Sequence, residues 1–190
     1  LRDSVMQCDE MDVRLEQPLK FAEPRPASDQ LAIRDVDCRN GVHVEVYDWK
    51  DNRIVGIRKA QLSRFLLDYP SGDFQGEGPG KINHWSYSGG RRAVAIAPRN
   101  AAQANVPVSS NGLEWEHISV EFDDLLMGNF KHRTAELHGR VRTIYAPVRR
   151  VSETFVRNDL SGDSPSVEHA VWLGCDRMSI ELQPLKALDG

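Results

Sequence analysis

A short segment near the start of the chain recurs near its end. Cys8-Asp9-Glu10-Met11-Asp12-Val13-Arg14-Leu15 aligns without gaps on Cys175-Asp176-Arg177-Met178-Ser179-Ile180-Glu181-Leu182, and both copies run on to Gln-Pro-Leu. The shared pattern, Cys-Asp-x-Met-x-[Val/Ile]-x-Leu, puts an apolar side chain at every second position, the period of a half-buried β-strand. A fainter echo links Arg39-Asn40-Gly41-Val42-His43-Val44 to Leu137-His138-Gly139-Arg140-Val141-Arg142, where a glycine opens a β-branched strand in each. Repetition of strand units argues for stacked β-hairpin layers rather than a closed barrel.

The same alternation fills much of the chain. Val42, Val44 and Val46 alternate with His43 and Glu45, and Ile118, Val120 and Phe122 with Ser119 and Glu121. Ala135, Leu137, Gly139 and Val141 alternate with Glu136, His138 and Arg140, including Gly139 among the apolar set. Residues 59–68 would also fit two or three helical turns, but Ile54, Val55 and Ile57 beside them favour strand. Asp51-Asn52 marks a turn between strands at 42–49 and 53–60, and Pro70-Ser71-Gly72-Asp73 another between 59–68 and 73–77. The expectation is an all-β sandwich, barrel or roll in one unit spanning 1–190. Three stretches interrupt the pattern and read as insertions: 18–30, 88–112 (with a short strand at 93–97) and 147–169. A tail follows at 184–190.

Composition narrows the function. A net charge of −4 with interspersed signs argues against a binder that relies on a positive field for nucleic acid. No apolar run is long enough to span a bilayer as a helix. The chain opens at Leu1 without an initiator Met or an apolar leader, so an excised fragment is expected, and the missing signal peptide says nothing about compartment. Cys8, Cys38 and Cys175 form no CxxC pair.

No catalytic constellation emerges. His43, His84, His117, His132, His138 and His169 make neither an HxH nor an HxxxH pair, so neither a metal nor a cofactor is expected. There is no GxSxG elbow. Asp123 and Asp124 would point to opposite faces of a strand. Gly76-Glu77-Gly78-Pro79-Gly80 lacks the Lys-Ser/Thr of a phosphate loop and reads as a tight turn or bulge. Trp85 and Tyr87, two apart on one strand, with Trp115 and Trp172, would make a glycan-stacking platform if exposed, or an inner lining if not.

The alternating strands define a common apolar face made of Met11, Val13, Leu15, Val42, Val44, Val46, Leu62, Ile82, Ile118, Val120, Phe122, Val141, Met178, Ile180 and Leu182. These side chains would either pack on one another as a core or line a groove for acyl chains. Each Å² of apolar surface withdrawn from water in such a groove stabilises by about 25 cal/mol.

Several segments together resemble the OstA-like repeat family of periplasmic lipopolysaccharide-transport proteins. They are Asn40-Gly41-Val42-His43-Val44-Glu45-Val46, the stretch from Ala60 to Ile82, the stretch from Ala135 to Tyr145, and Cys175-Asp176-Arg177-Met178-Ser179-Ile180. The glycine cluster at 76–80 and the long insertions depart from the compact members of that family. The resemblance implies an open β-jelly-roll, with two antiparallel sheets packed in a V around an apolar interior. It further implies a non-catalytic protein of the periplasm or cell envelope that binds or relays lipopolysaccharide or a similar glycolipid. Its partners would be other OstA-like domains or copies of itself, stacked edge to edge. Arg91, Arg92, Arg149 and Arg150 would then meet head-group phosphates, or simply be solvated loop charges. The alternative is a carbohydrate-binding or scaffold module of the envelope.

Overall fold

The structure, a computed structural model, describes residues 2–17, 32–88, 115–151, 153–154 and 170–181. Every helix or strand among them is a strand: β1 (Arg2–Gln7), β2 (Glu10–Leu15), β3 (Ile33–Lys50), β4 (Arg53–Asp68), β5 (Asp73–Glu77), β6 (Gly80–Tyr87), β7 (Trp115–Phe122), β8 (Leu125–Asn129), β9 (Thr134–Val148) and β10 (Val171–Glu181). All pairings are antiparallel. The all-β, jelly-roll-like expectation is met.

The ladder resolves into a meander of long bent layers. β3, β4, β9 and β10 each cross two arms, whereas β1–β2, β5–β6 and β7–β8 are layers cut at the bend. In the first arm the order is β1, β3, β4, β6, β7, β9, β10, through the halves of β3, β4 and β9 that begin at Val42, end at Leu62 and begin at Val141. In the second arm it is β2, β3, β4, β5, β8, β9, β10. Layers that neighbour in the sheet are therefore neighbours in sequence, with a short turn joining β3 to β4. Asp51 and Asn52 close the β3–β4 turn with φ of 50° and 60°, a conformation that Asn and Asp tolerate.

The bend explains the sequence repeat. Cys8-Asp9 separates β1 from β2, and the β9–β10 register shifts between Cys175 and Arg177, so both Cys-Asp pairs sit at the corner of an end layer. The second echo lies there too. Asn40, Gly41, Gly139 and Arg140 all have positive φ, the kink that turns β3 and β9 from one arm into the other. At the corner between β5 and β6 stands the glycine cluster, with a cis Gly78-Pro79 peptide. A Cβ on Gly80 would lie 2.2 Å from Cζ of the Phe122 ring, so this glycine lets the largest fully buried side chain lie across the strand.

The arms close on one another through a single cluster. Val42, Leu62, Val120, Phe122 and Val141 of the first arm or its corner meet Val36, Cys38, Leu126 and Leu137 of the second. Burying a Val, Leu or Phe contributes about 1.5–3 kcal/mol, against about 0–1 kcal/mol for an exposed ion pair, so this face holds the arms together. The outer face of the second arm carries ion pairs instead. Asp37, buried there, accepts from Arg64 at 2.9 and 2.8 Å and from Arg39 at 2.5 Å.

Several expectations need correction. Residues 33–41, unassigned from sequence, form the first half of β3. Residues 53–68 are one strand, not two, because β4 changes partner from β6 to β5 without breaking. The insertion placed at 147–169 starts too early. Pro147 and Val148 belong to β9, where Pro147 lies beyond the last β10 pairing at Tyr145 and interrupts no described ladder on that side. Asp123 and Asp124 are not strand residues on opposite faces. They form the corner between β7 and β8, where Asp123 binds Arg140 and Arg142. The insertion at 18–30, the strand at 93–97 and the tail at 184–190 lie outside the described residues.

Candidate functional site: the interior of the two arms

Cross-strand partners share a face, so the registers show what each arm turns inward. Nearest the corner in the first arm, Val42, Leu62, Gly80, Phe122, Val141 and Cys175 form one row, and Val44, Ala60, Ile82, Val120, Thr143 and Leu173 the next. In the second arm the rows are Met11, Cys38, Phe65, Gly76, Leu126, Leu137, Met178 and Val13, Val36, Leu67, Phe74, Gly128, Ala135, Ile180. The inner surface is almost wholly apolar for two rows on each side of the bend.

The sequence-predicted set falls on this face. Val42, Val44, Val46, Leu62, Ile82, Ile118, Val120, Phe122, Val141, Met178 and Ile180 belong to it, as does Leu15, opposite Ile33. Met11 and Val13 have the same orientation but are 49% and 46% exposed, because β2 is the end layer. Leu182, Arg91 and Arg92 lie outside the described residues. Arg149 and Arg150 are exposed just past the end of β9, beyond the open end of the first arm.

The inner set read from the sequence lacks Val36, Cys38, Phe65, Leu67, Phe74, Leu126 and Leu137, the last of these although it stands in an alternating apolar run. Phe65-Leu66-Leu67 and Leu125-Leu126-Met127 are apolar at consecutive positions, so alternation could not single out their inward members. Leu66 and Met127 turn outward. Phe65 and Phe74 stack at 6.3 Å between ring centroids. Cys38 is fully buried with Met6 Sδ 3.2 Å from its Sγ, and burial pushes its thiol up to about 12. All three cysteines are free.

The two arms differ beyond their apolar rows. Farther out in the first arm the inner face turns polar: Arg58, His84 and Tyr145 share a row, and Asp48, Ser86 and Glu116 the next. Arg58 pairs with Asp48. Burial lowers His84, with Arg58 adding to the effect, raises Glu116, and pushes Tyr145 up to about 12. The second arm opens into a cavity of about 1060 Å³ lined by apolar residues such as Val36, Leu67, Phe74, Ala135 and Ile180 and by polar ones such as Asp68, Gln75 and Glu136, a volume that suits a small-molecule or lipid ligand.

The aromatic platform expected of Trp85 and Tyr87 does not form as a unit. The two share the outer face of the first arm, but Trp85 is 4% exposed, stacks on His117 at 4.7 Å and donates from Nε1 to the Glu153 carbonyl at 3.2 Å. Tyr87 is exposed and meets Trp115 edge-on. Among the described residues no group of three or more His, Cys, Asp or Glu side chains could hold a metal ion, and no helix is long and apolar enough to cross a membrane.

No family model, curated protein or solved structure matches the chain.

Proposed function

We propose that this chain is a non-catalytic protein of the periplasm or cell envelope that holds or relays the acyl chains of an amphipathic glycolipid such as lipopolysaccharide. The observation that carries the reading is the inner face: apolar on both sides of the bend and continuous with an open cavity at the end of the second arm. A core that served only to hold the arms together would close at that end. The resemblance of the repeat to the OstA-like family points the same way. Other OstA-like domains or further copies of the chain are the partners this reading implies. β1–β2 and β10 are the terminal layers, and both carry exposed apolar side chains: Val5, Met11 and Val13 at one end, Val171, Trp172 and Leu173 at the other. The exposed Tyr87 ring, edge-on to the half-buried Trp115, favours a second reading, a carbohydrate-binding envelope module.

Titration with lipid A, followed by methyl resonances, separates the two. The lipid reading expects shifts at Val44, Val120 and Ile180 on the inner face. Shifts confined to Tyr87 and Trp115, produced equally by soluble glycans, would replace it with the carbohydrate reading.

A further inference from the structure

The corner of the first end layer gathers sulfur from both arms. Gln7 pairs with His43 and Glu10 with Arg39, and between them the Asp9 N–H donates to the Asn40 carbonyl at 3.1 Å. Cys8 and Asp9 therefore run alongside the kink of β3 at Asn40 and Gly41. Met6 and Cys8, two apart, pack inward on the first-arm side, and Cys38 packs inward on the other side of the kink. The kink folds these positions toward one another, and Cys38 Sγ lies 3.2 Å from Met6 Sδ. Cys8 stands nearer the corner than Met6 does. Burial first, then hydrogen bonding and charge from the neighbouring Cys8 thiol, hold the Cys38 thiol up.

The cysteines differ in access. Cys38 is fully buried, and its thiol stays protonated. Cys8 is half-buried, with its Sγ donating to the Glu10 carbonyl at 3.1 Å. Cys175 is exposed on the opposite end layer, across from Val141. Cys8 is therefore the member of the corner pair that an oxidant reaches first.

We propose that Cys8 and Cys38 form a disulfide that staples the end layer β1–β2 to the kink of β3. The oxidant is an external disulfide of the glutathione class. The Cys8 thiolate attacks one of its sulfurs and releases one thiol, leaving a mixed disulfide on Cys8. Cys38 then attacks the Cys8 sulfur, and its proton passes to the second thiol as that leaves. Two protein thiols are oxidised to one disulfide, and the external disulfide is reduced to two thiols. The bond closes the chain from 8 to 38 into a loop, which restricts the unfolded state. It persists in an oxidising compartment and does not depend on what the interior binds.

Peptide mass mapping tests this, after the folded protein is incubated with oxidised glutathione and then unfolded in an alkylating agent without reductant. The peptides bearing Cys8 and Cys38 should be joined, and Cys175 should be alkylated or capped by glutathione. Cys175→Ser should leave the link unchanged, and Cys8→Ser should leave Cys38 alkylated. Reduction should lower the thermal midpoint of the wild type by about 5 °C or more and leave that of Cys8→Ser unmoved. Recovery of Cys8 and Cys38 both unlinked, or of Cys8 joined to Cys175, would overturn the proposal. A link that forms without moving the midpoint would overturn its role as a staple.

Discussion

His117 is fully buried on the outer face of the first arm, between the Trp85 ring and the Asn83 amide oxygen, which lies 3.1 Å from Nε2. Burial, with Lys81 and His84 nearby, lowers it from 6.5 to about 4. The folded chain therefore keeps this imidazole neutral at a pH where the unfolded chain protonates it. The stability so gained is complete above about pH 6.5 and is lost as pH falls toward 4, on the order of 2–3 kcal/mol in all. Asp37, held down at about 2 by Arg64 and Arg39, loses its contribution in a separate window below 3.8. Urea unfolding from pH 7 to pH 4 should show stability falling in the wild type and a flatter profile in His117→Gln. Equal slopes would remove His117 as the cause. Nothing in the sequence marked this residue, because a lone histidine has no spacing to read. Its role comes from β6, β7 and the segment after β9 meeting on one face. The corner glycines were half legible: a turn or bulge was expected at 76–80, but the Phe122 ring beside Gly80 belongs to a different strand.

At the scale of the strand, period two carried most of the information. It placed the inner face of β2, β7, β10 and the second half of β3 because those segments alternate cleanly. It failed on Phe65-Leu66-Leu67 and Leu125-Leu126-Met127, where runs of apolar residues hide the phase. It also could not show that β4 and β9 cross both arms, since a bend preserves alternation while changing partners. The end layers are the elements open to other chains. If units stack head to tail, Val5→Lys at one end and Trp172→Lys at the other should each reduce self-association at high concentration. A mixture of the two variants should recover a dimer through the unaltered edges. Sedimentation velocity reads this directly, and a mixture no more associated than either variant alone would argue against head-to-tail contact.

At the scale of the molecule, the architecture follows from one repeated device: a long strand with a kink at its middle, stacked on its sequence neighbours. Repeating the Cys-Asp corner at the first and last layers frames the whole meander, which is why so short a motif revealed so much of the fold. The site was legible as an apolar face but not as a cavity, because openness depends on how far the arms part. One inward and one outward position make the sharpest probe of the interior. Phe74 on β5 faces inward and lines the cavity, whereas His43 on β3 is exposed on the outer face and does not line it. A photo-crosslinking amino acid placed at each position in turn, in the cell that makes the protein, should capture glycolipid at 74 and not at 43. Capture at both positions or at neither would contradict an acyl-chain site between the arms.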